Sequence, residues 1–247
     1  MYEGYRSVMR KDQELSFEQF YVLTFMGDLS DLMPALGESE AKEWKECTGI
    51  VNQLNDEIIV AHNTHNIYSL MLRIFKNYDI AIPGLEGRKL VRFSSRPGDL
   101  NSKDDFYRVG SDLVVLETSL AVYDKSIYSA LSTETVPKWI RTHIAHHLAD
   151  SPKEWARVFS LHNSGTHNNQ WIITSLESGE AYYLEQMPGL IQTWDATGVL
   201  KKEGYLPSYN IPFSPKIKEL SGAGNRTDIR ATIIKDNIGD VKSFEDL

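Results

Sequence analysis

Cysteine is nearly absent from this sequence, since Cys47 is the single one in 247 residues. One thiol cannot form an internal disulfide, so a disulfide-stapled scaffold is excluded and the chemistry of Cys47 is either packing or reactivity. Free cysteine is among the residues most often buried, which on chemistry alone favours packing. Cys47 nevertheless opens a strand-like run, and polar groups return beside it at residues 61–64, which is the layout that a nucleophile needs.

Long apolar runs and an excess of positive charge are also lacking. The longest apolar stretches, such as residues 58–61, are far too short to cross a bilayer, so no integral membrane segment is expected. The net charge is −8 and the pI is about 5.4, which predicts no general attraction to nucleic acid. Residues 1–16 carry several charges and no apolar core, so no signal peptide is expected in this chain.

The common motifs of nucleotide and serine chemistry are missing as well. There is no glycine-rich phosphate loop and no Gly-x-Ser-x-Gly elbow. His143, His146 and His147 have a spacing that could bring two imidazoles to one metal, but without a companion carboxylate a solvated helix face is favoured. Asp104 and Asp105 could bind a cation, but helix capping or a turn is the simpler explanation. Neither a metal nor an organic cofactor is therefore expected.

Apolar spacing and turn-forming residues predict a series of short helices and strands. A helix is expected within residues 16–36, interrupted near Gly27 and stopped by Pro34. Further helices are predicted at residues 66–78, 136–148 and 155–161. Strands are predicted at residues 48–54, 57–61, 89–94, 106–109, 113–119, 171–175 and 181–186, followed after Pro188 by loops with an extended stretch at 205–212. Short strands with intervening helices indicate a layered α/β or α+β domain.

A dense polar segment, residues 163–171 (NSGTHNNQW), precedes the strand predicted at 171–175. Amide donors on a tight loop can stabilise an oxyanion if the scaffold fixes them. The alternative is a polar turn whose side chains satisfy their own backbone. The residue types alone leave the two interpretations equally favoured.

Six segments in the same order resemble the phospholipase B-like proteins. The first is Cys47 with its following residues and residues 59–64 (IVAHNT), which resemble the nucleophile hairpin of that family. The others are residues 93–98 (FSSRPG), 104–107 with 116–118, the 163–171 segment, 184–189 (LEQMPG) and 207–212 (PSYNIP). The resemblance extends from about Phe20 to the end of the chain. His65 departs from it, because the family usually has a tryptophan there.

The resemblance implies a four-layer αββα sandwich of the N-terminal-nucleophile hydrolase type, an α+β fold that would be incomplete in this chain. Residues 1–46 would be a propeptide-like or N-terminal fragment segment, and residues 47–247 a core truncated at its C-terminus. Autoproteolysis of the Glu46–Cys47 bond would expose Cys47 as the nucleophile. The residues implied to act with it are His62 and Asn63 for orientation, Asn163 and Asn168 for the oxyanion hole, and Thr64, His65, Thr166 and Trp171 in the substrate pocket.

The reaction implied by the resemblance is hydrolysis of an acyl ester or amide bond in a lipid or lipid-like small molecule. A non-catalytic lipid-binding or structural fragment that keeps the fold is the alternative, favoured by His65 and the short chain. The family's compartment is lysosomal or secreted. In that compartment the sequon at Asn225 would be glycosylated.

Overall fold

The computed structural model describes residues 2–24, 26–38, 47–55, 57–66, 68, 71–85, 89–102 and 106–246. The α-helices are α1 (Tyr2–Val8), α2 (Phe17–Thr24), α3 (Leu29–Ala35), α4 (Lys138–Leu148), α5 (Pro152–Phe159), α6 (Thr197–Glu203), α7 (Pro215–Ser221) and α8 (Ile229–Asn237). The strands are β1 (Cys47–Leu54), β2 (Glu57–Thr64), β3 (Ile74–Tyr78), β4 (Val91–Ser95), β5 (Phe106–Val109), β6 (Leu113–Ser119), β7 (Asn169–Ser175), β8 (Ala181–Met187), β9 (Leu190–Asp195) and β10 (Tyr205–Ser208).

Within the described residues the strands form two antiparallel sheets. A large sheet of seven strands runs β3-β4-β5-β6-β7-β8-β9, so strands that follow each other along this part of the chain are neighbours. A small sheet of three strands runs β10-β1-β2, and β10 returns from far along the chain to pair with β1. The predicted hairpin at residues 48–54 and 57–61 is confirmed as β1 and β2.

The two sheets pack face to face through apolar side chains. Val51 of β1 and Leu206 of β10 lie in one buried cluster with Leu116 of β6 and Ile172 of β7. Side chains alternate between the two faces of a strand, so Leu116 and Ile172 define the inner face of the large sheet. The neighbours of these residues on the same strands must therefore point away from the small sheet.

Helices cover the other face of each sheet. Ile173 and Leu184 of the large sheet form a second buried cluster with Trp155 and Phe159 of α5. On the outer side of the small sheet, α8 shares a groove with residues of β1 and β2. The layers are therefore helix, sheet, sheet and helix, which confirms the predicted four-layer α+β sandwich.

The helix predicted at residues 66–78 is wrong where the structure describes it. Residues 74–78 form strand β3, which pairs with β4, and residues 67, 69 and 70 lie outside the described part. Tyr78 packs edge-on against Phe93 of β4, with ring centroids 4.9 Å apart. Pairing with a long-range neighbour therefore decides the conformation of this segment against its helical spacing.

The region after Pro188 contains more regular structure than the predicted loops. It holds β9, α6, α7 and α8 in addition to the extended stretch that becomes β10. The start of α8 is set by Asp228, whose carboxylate accepts a hydrogen bond from the backbone N–H of Arg230. Near the N-terminus, the predicted break around Gly27 is confirmed between α2 and α3, and α3 runs one residue past Pro34.

Candidate active site

Cys47 is the first residue of β1, and only 3% of its surface is exposed. It shares the inner face of the small sheet with Gly49 and Val51, because alternate residues of a strand point to the same side. Its register partner on β2 is Thr64. The thiol therefore enters the space between the two sheets at the end of the hairpin.

Gly49 allows β1 to lie close to the large sheet. A Cβ atom built on Gly49 would come within 2.5 Å of Cδ1 of the buried Leu116. That separation is far below any normal contact between carbon atoms. The missing side chain at position 49 therefore sets how closely the strand bearing Cys47 approaches β6.

His62 lies on the same inner face, paired with Gly49 across the hairpin. Its ring Nε2 is 2.7 Å from the backbone carbonyl oxygen of Glu117 on β6. A carbonyl oxygen only accepts hydrogen bonds, so Nε2 carries the proton and Nδ1 of the neutral ring retains its lone pair. Nδ1 is 3.5 Å from the hydroxyl of Thr64. An imidazole of defined tautomer is thus fixed near the strand end that carries Cys47.

The sequence predicts Asn63 beside the thiol of Cys47, but in the structure its side chain lies on the opposite face of the small sheet. It pairs with Thr48 and therefore points to the outer face of the small sheet. There it lines a groove of about 510 Å³ between the hairpin and α8. The prediction overlooked the strand alternation that puts His62 and Asn63 on opposite faces.

A chain of hydrogen bonds links the large sheet to the segment after β10. Ser208 Oγ donates to Oε1 of Gln170 at 2.7 Å. Since its one proton is used there, Ser208 accepts from the hydroxyl of Thr118, also at 2.7 Å. Thr118 in turn accepts from the backbone N–H of Asn210 at 3.0 Å. These four buried residues hold the end of β10 over β6 and β7.

Arg230 connects this series of hydrogen bonds to Cys47. Its Nη1 donates to the carbonyl oxygen of Cys47 at 2.5 Å and to the hydroxyl of Thr48 at 3.0 Å. Its Nη2 donates to the carbonyl oxygen of Tyr209 at 2.8 Å and to Oδ1 of Asn210 at 2.9 Å. Sequence reasoning missed Thr118, Asn210 and Arg230 as site residues. Thr118 and Asn210 do lie within the family-like segments 116–118 and 207–212, which could have signalled them.

The amides of the polar segment are tied into their own neighbourhood. Asn163 donates to the carbonyl oxygen of Met187 at 2.9 Å and accepts from the backbone N–H of Gly165 at 3.0 Å. Asn168 donates to the carbonyl oxygen of Gly165, also at 3.0 Å. These bonds close the turn and fasten it to β8. They favour the polar-turn interpretation over an oxyanion hole at Asn163 and Asn168.

Trp171 and Thr166, both predicted in the substrate pocket, pack elsewhere. Trp171 is fully buried on the helix side of the large sheet, where its ring centroid is 5.2 Å from that of Trp155. Its position on β7 is out of phase with Ile172, so it points away from the small sheet. Thr166 donates its hydroxyl proton to Asp28 Oδ1 at 2.5 Å. Neither side chain faces the inner layer with Cys47.

The remaining predicted site residues are divided between described and undescribed parts of the chain. Thr64 is half-buried opposite Cys47, and His65 follows β2 at an exposed position. Asn225 is exposed in the turn between α7 and α8. Glu46 lies outside the described residues, as do residues 104 and 105.

Behind the inner layer, the large sheet carries a buried ionic group. Oε1 of Glu117 lies 3.9 Å from Nζ of Lys138 and 3.8 Å from Nε2 of His167. Nζ of Lys138 also lies 4.9 Å from the ring centroid of Trp171. The Glu117 backbone thus holds His62 on one face while its side chain lies near Lys138 and His167 on the other.

Two acids of the N-terminal segment are buried against the polar turn. Oδ2 of Asp31 accepts from the backbone N–H of Asn168 at 3.3 Å, and Oδ1 accepts from the hydroxyl of Tyr128 at 2.8 Å. Burial raises the pKa of Asp31 to about 6 and also raises the pKa of Asp28. A Cβ on Gly27 would lie 2.2 Å from His167 Nδ1, so this segment is in close contact with the core.

The histidine trio of α4 is not a solvated face, which corrects the prediction. His146 is fully buried and accepts a hydrogen bond from Trp155 Nε1 at 3.0 Å. Nε2 of His143 is 2.9 Å from the carbonyl oxygen of Leu100. Burial lowers the pKa of His143 to about 4 and the pKa of His146 well below its ordinary value. The polar character of the histidines suggested solvent exposure, whereas this face of α4 packs against aromatic side chains.

None of the described helices is both long and apolar enough to cross a membrane. The described residues contain no group of three or more histidine, cysteine or acidic side chains arranged to hold a metal ion.

Comparison with known proteins gives consistent matches. A family model described as Phospholipase B matches residues 1–247. Human Phospholipase B-like 1 is 35% identical over 237 residues, which cover 88% of this chain and 43% of that protein. Phospholipase B-like protein D of Dictyostelium discoideum is 34% identical over 294 residues, covering 100% and 51%. Phospholipase B of Crotalus adamanteus is 38% identical over 240 residues, covering 86% and 42%.

The chain spans about half the length of the curated relatives it matches. A solved structure of the Caenorhabditis elegans N-acylethanolamine-hydrolyzing acid amidase ortholog aligns with 76% of this chain and 85% of its own. Its TM-score is 0.49 at 13% sequence identity. That likeness is too distant to carry an argument about activity.

Proposed function

The chain belongs to the phospholipase B family, and from this premise we propose that it carries the nucleophile of a hydrolase. The reaction is transfer of an acyl group from a lipid ester or amide to Cys47 and then to water. The observation that carries the proposal is the position of Cys47 at the start of β1, buried between two sheets with His62 on the same face.

Maturation begins with hydrolysis of the Glu46–Cys47 peptide bond. One water molecule is consumed, Glu46 leaves with a carboxylate and Cys47 gains an α-amine. That amine has a pKa of roughly 7.7–8.0 in an unperturbed chain. It is therefore basic enough to accept the proton of its own thiol near neutral pH.

Turnover then follows a two-step acyl transfer. The thiol proton passes to the α-amine, and the thiolate attacks the acyl carbonyl. The leaving alcohol or amine takes the proton from the ammonium, and an acyl thioester remains on Cys47. Water attacks this thioester, the acid is released, and the thiol is regenerated.

Asn210 is a better candidate than Asn163 or Asn168 for stabilising the oxyanion of these steps. Arg230 contacts both its Oδ1 and the carbonyl oxygen of Cys47, which supports a position near the nucleophile. One hydrogen of its amide is donated to the carbonyl oxygen of Ser119 at 2.7 Å. The second amide hydrogen can serve the substrate.

Intact-mass measurement and thiol-directed acyl probes test the proposal together. We expect wild type to yield a fragment that starts at Cys47 and to accept an acyl probe on that residue. Cys47→Ala should remain uncut and unlabelled, whereas Cys47→Ser separates loss of thiol chemistry from loss of fold. A wild-type chain that stays intact and unlabelled would rule out the catalytic proposal.

A second candidate is a non-catalytic lipid-binding protein. The outer groove beside α8 supports it, because its lining includes Ile50, Ala61, Ile233 and Ile234 and its volume suits a small apolar ligand. Binding of a fluorescent fatty acid to wild type and to Cys47→Ala discriminates the two. Equal binding by both proteins, with no turnover by wild type, favours the binding function.

The proposal extends to the N-terminal segment and the compartment. Because Asp28 and Asp31 are buried in contact with the core, residues 26–38 stay bound as an N-terminal fragment after the cut. We assign the protein to the lysosomal or secreted compartment of its family, with a glycan on the exposed Asn225. Expression through a secretory route, followed by enzymatic deglycosylation, should reveal a mass shift that Asn225→Gln abolishes.

A further inference from the structure

The first two residues of β1 extend past the end of their neighbour β10. β1 pairs with β2 from Cys47 onward, but its pairing with β10 begins only at Gly49, opposite Ser208. After Ser208 the backbone turns away through Asn210, which has a left-handed φ of 66°. On this side of β1 the sheet ladder ends before it reaches Cys47.

The guanidinium of Arg230 occupies the position beside residues 47 and 48 where β10 no longer pairs with β1. It lies between the diverging segments and donates to one carbonyl oxygen and one side-chain oxygen on each. One segment contributes Cys47 and Thr48, and the other contributes Tyr209 and Asn210. A planar guanidinium can span these four acceptors, whereas the compact ammonium of lysine cannot.

Arg230 is itself held firmly at the start of α8. Its Nε donates to Oδ1 of Asp228 at 2.8 Å, and its Nη2 donates to Oδ2 at 3.2 Å. Asp228 is 7% exposed and also caps the helix through the backbone N–H of Arg230. The same carboxylate therefore fixes the helix start and the direction of the guanidinium.

We propose that Arg230 is a positioning residue that keeps the amino-terminal end of β1 in register once the chain has been cut before Cys47. This proposal rests on the proposed function. Before the cut, Cys47 is restrained on both sides by the covalent chain. After it, Cys47 is a chain end, and chain ends fray unless they are tied down. The contact with the Cys47 carbonyl keeps the thiol and α-amine of the same residue beside His62 and Thr64.

The test compares Arg230→Gln and Arg230→Lys with Arg226→Gln as the matched control. Arg226 is also an arginine near α8, but it bonds to the carbonyl oxygens of Gly222 and Ala223 rather than to β1. Intact mass measures the cut, and hydrolysis of a p-nitrophenyl acyl ester gives kcat and KM. Hydrogen exchange follows the backbone amides of residues 48–50.

We expect both Arg230 variants to be cut and to lose about 100-fold in kcat with little change in KM, the scale of a misplacement of about 1 Å. Methylguanidinium in solution should restore part of the activity of Arg230→Gln and leave Arg226→Gln unchanged. Exchange at residues 48–50 should increase in the cut form of Arg230→Gln and not in its uncut form, which is obtained by adding Cys47→Ala to the variant. Activity of Arg230→Gln equal to that of Arg226→Gln overturns the proposal. Equal exchange in its cut and uncut forms does so too.

Failure of the proposed function can be distinguished from failure of the positioning role of Arg230. If wild type is neither cut nor active, residues 43–46 are replaced with a factor Xa recognition sequence, so that the protease cuts directly before Cys47 in the full chain. Exchange at residues 48–50 is then compared between Arg230→Gln and wild type after cutting. Greater exchange in the variant supports the positioning role without any turnover, and equal exchange refutes it.

Discussion

Nε2 of His62 and the backbone carbonyl oxygen of Glu117 are 2.7 Å apart, which joins the small sheet to the large sheet beside the strand that begins with Cys47. The bond fixes the ring tautomer and leaves Nδ1 on the side of Thr64. It also satisfies a carbonyl group of a strand whose residues Leu113 to Thr118 are all buried. The same contact therefore contributes both to the packing of the sheets and to the orientation of a candidate catalytic group.

Replacing His62 with alanine should lower the free energy of unfolding by about 1 kcal/mol, the usual net value of a hydrogen bond. Asn63→Ala is the matched control, because Asn63 is the next residue on the exposed outer face. We expect that change to stay within about 0.5 kcal/mol. Urea unfolding of both variants measures the difference, and equal losses would contradict the inter-sheet bond.

Gly49→Ala should destabilise the protein by about 1–3 kcal/mol, because the new methyl group would overlap the buried side chain of Leu116. In the double variant with Leu116→Ala the loss should be smaller than the sum of the two single losses. Gly198→Ala is the control, since Gly198 lies in α6 with no atom within 4 Å of the new carbon. Denaturation midpoints of wild type and the four variants decide whether β1 approaches β6 as closely as described.

Two groups give opposite contributions to the pH dependence of stability. The pKa of His143 is lowered by burial to about 4, so between the ordinary histidine value of roughly 6.5 and pH 4 the unfolded chain binds more protons. This contribution to the free energy of unfolding falls as the pH falls. The pKa of Asp31 is raised by burial to about 6. Between pH 6 and roughly 3.9 the folded protein binds more protons, and its contribution rises as the pH falls.

Asp31→Asn should therefore lose stability more steeply than wild type between pH 6 and pH 4, and His143→Gln should lose it less steeply. The comparison uses the change in the free energy of unfolding with pH, so that the constant cost of each substitution cancels. Urea titrations at pH 6, 5 and 4 supply the values. Parallel profiles for the three proteins would show that neither group titrates differently on folding.

Removal of the buried acids should release the N-terminal fragment after cutting. Asp28 and Asp31 each accept two hydrogen bonds from the core, and Asp28 lies near the buried cation Arg141. We expect Asp28→Ala with Asp31→Ala to separate on size-exclusion chromatography after factor Xa cutting, whereas wild type stays associated. The exposed Asp12→Ala is the control. Co-elution of the cut double variant would assign the binding of this segment to its other contacts.

The sequence predicted those parts of the molecule that are determined locally or by family resemblance. The hairpin follows from alternation around residues 55 and 56, and the family assignment from six ordered segments is confirmed. The segment at 66–78 failed because its apolar spacing fits a helix while long-range pairing with β4 makes residues 74–78 a strand. The four-layer fold was predicted through the resemblance rather than from these local patterns.

The site was harder to predict than the fold because its members are far apart in the sequence. Thr118 and Asn210, separated by 92 residues, meet only when β10 pairs with β1 above β6. The amide residues of the 163–171 segment stand out in the sequence, yet their side chains form hydrogen bonds within their own turn. Residue composition indicates which groups could act, and tertiary pairing decides which of them lie near Cys47.

The contact between Arg230 and Cys47 joins residues 183 positions apart, which imposes an order on synthesis and folding. Ribosomes add roughly 5–20 residues per second, so Cys47 precedes its partner by about 10 to 40 seconds. During that interval the hairpin can pair locally, but the end of β1 has no guanidinium to hold it. The strand that begins with Cys47 is therefore completed late, after almost all of the described chain has been made.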